Sequence, residues 1–138
     1  MTRLNLAVHL YTTGTPATVV GTSVPDRNRM MERELHQAWV RAGKVCFSEE
    51  RPISLKIVAL FSRPDGHILK SGRLSRSGDR SKAPVQSGPD ANELYGMVTR
   101  GLQRRVWESD RQIVSYSVER RWAPKGGNPM IGIQVTPL

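Results

Sequence analysis

Cysteine is all but missing from this chain. Cys46 is the single one in 138 residues, which excludes a disulfide within the chain and any paired-cysteine zinc motif. Set between Val45 and Phe47, it reads as a small buried apolar residue, with nothing in the neighbouring sequence to lower its pKa. No run approaches the roughly 20 apolar residues of a membrane-spanning helix. The first residues carry no signal-peptide pattern, so an intracellular protein is expected. Glycine-rich phosphate loops, serine or cysteine nucleophile motifs with a supporting histidine, and internal repeats are also missing.

Acid is scarce relative to base. Twelve Asp and Glu stand against 21 Lys and Arg, for a net charge of +9 and an isoelectric point near 10.6. That balance makes a polyanion the expected partner. It is shared by ribosomal, membrane-surface and nuclease proteins, so it narrows the class without choosing within it. A hydrophobic content of 38% over 138 residues suits one domain around one core.

Hydrophobic periodicity sets out the elements. Residues 3–11 alternate Leu4, Leu6, Val8 and Leu10 against Arg3, Asn5, Ala7 and His9, a half-buried strand with His9 on its outer side. Residues 12–24, rich in Thr, Gly and Pro, read as a loop. From Asp26 to Ala42 a helical stripe of Met31, Leu35, Ala38, Trp39 and Ala42 is capped by Asp26 and stopped by Gly43, with Arg29, Arg33, His36 and Arg41 facing outward. Ile53 to Phe61, ISLKIVALF, is a strand whose continuous apolar character predicts cover on both faces. A helix over 89–105 follows, then a strand over 112–122. The turn PKGGN then leads to MIGIQV, read as the hairpin partner of the strand before it; Lys125 in that turn is placed to touch a polyanion such as DNA, although exposed hairpin lysines are ordinary. The expectation is an α+β fold of order β-α-β-loop-α-β-β, with two main helices packed on a mixed sheet.

Between the second strand and second helix lies a long stretch, about 63–88, in which hydrophobic periodicity vanishes. There Arg63, Lys70, Arg73, Arg76, Arg80 and Lys82 outnumber Asp65 and Asp79. It is read as a mobile basic flap that orders on the DNA backbone; a loop that is merely solubilising is the alternative.

The segment from Gly88 to Val114 concentrates the chemistry. Asp90, Asn92 and Glu93 open the predicted helix, and Glu108 and Asp110 follow its end. Asp90, with Glu93 three residues on, fits an N-cap and capping box. The same carboxylates, gathered against a basic background, fit a divalent cation held beside a phosphodiester. Both readings stand on spacing alone.

Pro89, Asp90, Leu94, Leu102, Trp107, Asp110, Gln112 and Ile113 fall where the RusA family of Holliday junction resolvases has its signature, and the stretch resembles that family. The chain departs from the pattern at Asn92 and Ser109, where the family has Asp, at Glu93, where it has Asn, at Gly96, where it has Lys, and at Arg100, where it has Asp. Asn92 keeps an oxygen donor but removes a negative charge, and Gly96 cannot stabilise charge on a phosphate.

The resemblance implies a RusA-like fold. It also implies a homodimeric, Mg²⁺-dependent endodeoxyribonuclease, with Mn²⁺ as a substitute, that hydrolyses four-way junctions or other branched DNA. Asp90, Asn92 and Asp110 would be catalytic, and Asp90, Asn92, Glu93 and Asp110 would hold the metal. The arginines and lysines of 63–82 would grip backbone, and a basic residue such as Lys82 would replace the lysine missing at Gly96. The alternative is a protein of the same fold that binds branched DNA without efficient cleavage.

Overall fold

The computed structural model describes residues 6–12, 24–85, 88–124 and 127–138. Residues 3–5 of the first predicted strand, the predicted loop at 13–23 and Lys125 lie outside them.

The chain is α+β, a four-stranded mixed sheet with its long helices packed on it. Strand β1 (Val8–Tyr11) is followed by helix α1 (Val24–Arg41), β2 (Ile53–Phe61), a short helix α2 (Arg76–Arg80), α3 (Ala91–Leu102), β3 (Ile113–Trp122) and β4 (Met130–Pro137). The sheet order is β1-β4-β2-β3. β4 runs antiparallel to both β1 and β2, whereas β3 runs parallel to β2.

This order corrects the expected hairpin. β4 does not pair with β3 but inserts between β1 and β2, with Ile133 opposite both Leu10 and Ile57. The connection from Ala123 to Pro129 is too long to be a tight two-residue turn, so β4 is free to cross to the other edge of β2. There its alternating Ile131, Ile133 and Val135 join the buried face, and β2, the most apolar strand, gains ladder bonds along both edges.

β2 also departs from the double cover its composition suggested. Ile53, Leu55, Ile57, Ala59 and Phe61 are buried, Lys56 is exposed, and Ser54, Val58 and Leu60 are half-buried. Its apolar run reflects a central position within the sheet, with helices over one face only among the described residues. That face joins Met31, Leu35 and Ala38 of α1 to Leu94, Met97, Val98 and Leu102 of α3 in one core. Each of these Leu, Met and Val side chains, fully removed from water, stabilises the fold by roughly 1.5–3 kcal/mol before entropy is subtracted. α1 and α3 approach closely at Gly101, where an added Cβ would overlap the Leu35 side chain.

The end of α1 follows its sequence signal. Gly43, at φ +89°, stands just past the last turn, with Lys44 N–H donating to Trp39 O and Gly43 N–H to Val40 O. This is the Schellman pattern that glycine permits at lowest cost. Trp39 packs against the core with its indole N–H on Val45 O, and His9 is exposed, as expected.

Cys46 is a correction. It is exposed, because Phe47 is the neighbour that turns inward, pairing with Trp107 in an isolated bridge. Its thiol lies 3.7 Å from Glu108 Oε1, and partial burial followed by the Glu108 charge pushes its pKa up. It is a poor nucleophile at neutral pH.

Candidate functional site

The N-terminus of α3 is built from the sheet outward. Arg120, on the helix side of β3, spreads its guanidinium over the Phe61 ring and donates from Nε to Pro89 O at 3.0 Å. That bond fixes the residue immediately before Asp90. Asp90 caps the helix, its Oδ1 accepting from Glu93 N–H at 2.8 Å. The residue is otherwise exposed. A cap occupies one oxygen of a carboxylate that has two.

Asp110 is built with more care. Trp107 is fully buried and donates from Nε1 to Asp110 Oδ1 at 2.8 Å, which sets the orientation of that carboxylate. Gln112 is also buried and uses its whole amide. Oε1 accepts from Glu108 N–H and Ser109 N–H, while Nε2 donates to Ser48 O and Arg51 O. The short 3-10 turn Asp110–Gln112 is therefore bolted to the segment before β2, and Asp110 stands at its head.

Tyr95, five residues into α3 from the Asp90 cap, feels the Asp110 charge. Its ring stacks on Tyr116 at 4.1 Å between centroids, and burial, then the Asp110 charge, then Tyr116 push its phenol above the ordinary value. The phenol stays neutral and keeps its O–H as a donor beside Asp110. α3 runs antiparallel to β3, with Pro89 beside Arg120 and Tyr95 beside Tyr116. Asp90 thus lies toward the far end of β3, Asp110 at its start, and Tyr95 between them.

Helical geometry decides which neighbours join this strip. At about 100° per residue, Asn92 lies roughly 60° around α3 from Tyr95, but Glu93 lies roughly 160° away. Asn92 therefore shares the side of Tyr95, and Glu93 is turned from it. Glu108, the other nearby acid, faces Cys46 instead. Among the described residues there is no group of three or more His, Cys, Asp or Glu arranged to hold a metal. Of the expected set of Asp90, Asn92, Glu93 and Asp110, the structure joins Asp90 to the Glu93 backbone N–H, and helical spacing turns the Glu93 side chain from Tyr95. Asp90, toward the far end of β3, and Asp110, at its start, offer carboxylate oxygens and Asn92 an amide oxygen, hard donors of the kind that suits Mg²⁺.

The basic stretch is not a featureless loop. It carries a 3-10 turn Asp65–His67, a bridge between Ile68 and Leu74, and α2 capped by Ser75. Arg63 is consumed in holding it: its guanidinium stacks on Trp122 and donates to Gly78 O at 2.9 Å. Trp122 Nε1 donates to Ser81 O, and His67 meets the Trp122 ring edge-on. The arm is thereby clipped to the same end of β3 as Asp90. Of the expected DNA ligands, Lys70, Arg73, Arg76 and Arg80 are exposed, Lys82 makes a loose exposed pair with Asp79 at 3.9 Å, and Arg63 faces inward as a strut.

Sequence reasoning missed Tyr95, Tyr116 and Arg120, because their roles come from strand and helix alignment rather than spacing. A scan against protein-family models finds no match to the chain, and no curated protein matches it.

Proposed function

We propose that the chain is a RusA-like, metal-dependent endonuclease that cuts four-way junctions or other branched DNA by phosphodiester hydrolysis, acting as a homodimer in the cytoplasm. The observation that carries the reading is Asp110: an acid oriented by a buried tryptophan, braced by Gln112, and near enough to Tyr95 of α3 for its charge to be felt there, in a chain of net charge +9. A carboxylate held in one orientation on a basic protein is suited to meet a cation beside a polyanion.

Asp90 and Asp110 would hold the ion, with the Asn92 carbonyl oxygen as a third donor. A bound Mg²⁺ or Mn²⁺ would polarise the phosphate and make a coordinated water easier to deprotonate. The protein's own part is orientation. Trp107 N–H keeps the Asp110 carboxylate aimed, Arg120 fixes the cap on which Asp90 rides, and the neutral Tyr95 phenol offers a donor to an oxygen nearby. Two protomers are proposed because opposed strands of a two-fold junction call for two related sites.

A second reading, binding of branched DNA without efficient cleavage, is favoured by the donor set itself, which has two carboxylates where three would hold the ion more tightly. A labelled four-way junction, incubated with Mn²⁺ or Mg²⁺ beside duplex of equal length, separates the two. Paired metal-dependent nicks support the enzyme, tight junction binding without nicks supports the second reading, and equal affinity for duplex rejects both.

The arm gives a separate expected result. Replacing Lys70, Arg73, Arg76 and Arg80 with Ala should flatten the dependence of log affinity on log salt by roughly 0.9 for each phosphate released. A salt slope equal to that of the wild type would mean the arm only solubilises.

A further inference from the structure

β3 is an outer strand of the sheet, and one of its side chains is out of keeping with its place. Tyr116 lies opposite Leu55 of β2, so it stands on the helix-covered side. Yet 57% of Tyr116 is accessible, where Leu55 keeps 1%. The ring is nonetheless fixed. Tyr95 stacks on it at 4.1 Å between centroids and 29° between planes. Tyr95 in turn packs against the core, on a turn of α3 where Thr99 Oγ1 donates to its carbonyl. A stacked partner covers one face of a ring, so exposure this large leaves the other face of Tyr116 open to solvent.

A lone exposed ring needs no explanation. A ring backed by a second ring is a flat platform held in one orientation, and every nucleobase has a π-face to lay on it. The net charge of +9 selects a polyanion, and Arg111, exposed at the head of the same strand, offers a cation to its backbone. A second copy of the chain fits less well. Pairing along the outer edge of β3 is hindered at its start by a bulge, in which Val114 has no partner on β2, and toward its end by the charges of Glu119, Arg120 and Arg121. We infer that the open face of Tyr116 is a stacking site for an unpaired nucleobase of a bound nucleic acid, an assignment that rests on the nucleic-acid half of the nuclease reading and not on cleavage. It adds what phosphate contacts cannot supply, a preference for strands whose bases are unstacked.

Equilibrium binding at fixed salt is to be measured with two probes of equal length and charge: a single-stranded oligodeoxynucleotide of mixed sequence, and the same backbone carrying abasic sites throughout. The wild type should bind the base-bearing strand at least about tenfold tighter, the size of effect that one aromatic stack has elsewhere. Tyr116→Ala should weaken binding of that strand about tenfold and leave the abasic strand unchanged. Its slope of log affinity against log salt should match the wild type, because no phosphate contact is lost. Tyr116→Phe, which keeps the ring, should recover most of the difference. Thermal midpoints check the fold of each variant, and the comparison of the two strands on the wild type needs no variant.

Equal wild-type affinity for the two strands overturns the inference, and so does an equal loss on both strands in Tyr116→Ala. A Tyr116→Ala chain that sediments as a monomer where the wild type is a dimer, with no base-dependent loss of binding, also overturns it and assigns the ring to an interface between copies. Junction nicking tests the other reading separately. Base-dependent binding without nicking rejects the nuclease and leaves the stacking site standing, whereas nicking without base-dependent binding does the reverse.

Discussion

Asp110→Asn is expected to reduce metal-dependent junction nicking by at least roughly 100-fold, since even substitutions one shell out from a metal cost 10- to 100-fold. The change is nearly isosteric. The amide can turn its carbonyl oxygen to the Trp107 N–H, so the bond at Oδ1 has a replacement and the fold should hold. What goes is a negative charge at the ion, and with it the electrostatic part of the binding. The thermal midpoint should stay within a few degrees of the wild type while activity collapses. Equal loss of both would mark Asp110 as a structural residue. Full activity would remove it from the site.

The second large effect concerns the residue beneath it. Trp107 is fully buried and packed in the core, so Trp107→Ala should cost about 3–5 kcal/mol of stability through lost burial and a cavity. For a domain of this size that is enough to unfold much of the population at ordinary temperatures. Trp107→Phe separates the two jobs of the side chain. It keeps most of the ring volume, costing less stability, but removes the N–H that aims Asp110. Expected is a well-folded protein with metal affinity reduced 10- to 100-fold. Urea titration and Mn²⁺ binding on the same samples check both. A Phe variant that binds metal like the wild type would show that the indole N–H serves the fold alone.

How far the sequence revealed the molecule depended on how local each signal was. Asp90 as a helix cap was legible because a cap involves only residues three and four positions apart, and Gly43 as a stop for the same reason. The position of β4 was not, because nothing in MIGIQV says whether its ladder partner is the strand just before it or one about 70 residues earlier. Cys46 was misjudged because two apolar neighbours suggested burial, whereas an extended segment alternates and Phe47 took the inward side. Trp107 and Gln112 were noticed as part of a pattern, but their work was hidden. Gln112 bonds carbonyls at Ser48 and Arg51, far back in the chain, and only folding brings them within reach. Glu93 is close to Asp90 in sequence, yet helical spacing sets it roughly 160° around α3 from Tyr95. The basic arm misled in the opposite way. Its glycines and serines suggested a loop, yet stacking of Arg63 and His67 on Trp122 gives it a small structure of its own.

The central claim is that Asp90 and Asp110, from opposite ends of α3 and its following turn, serve one cation. Mn²⁺ binding to the free protein, read from the signal of unbound ion, tests it directly in the wild type, Asp90→Asn, Asp110→Asn and the double variant. A shared ion predicts one site per chain, at least about tenfold weaker binding in either single variant, and a double variant scarcely worse than the poorer single, because ligands of one ion do not act independently. Losses that simply add, or a single variant that binds as the wild type does, would mean that the two acids never meet at one ion.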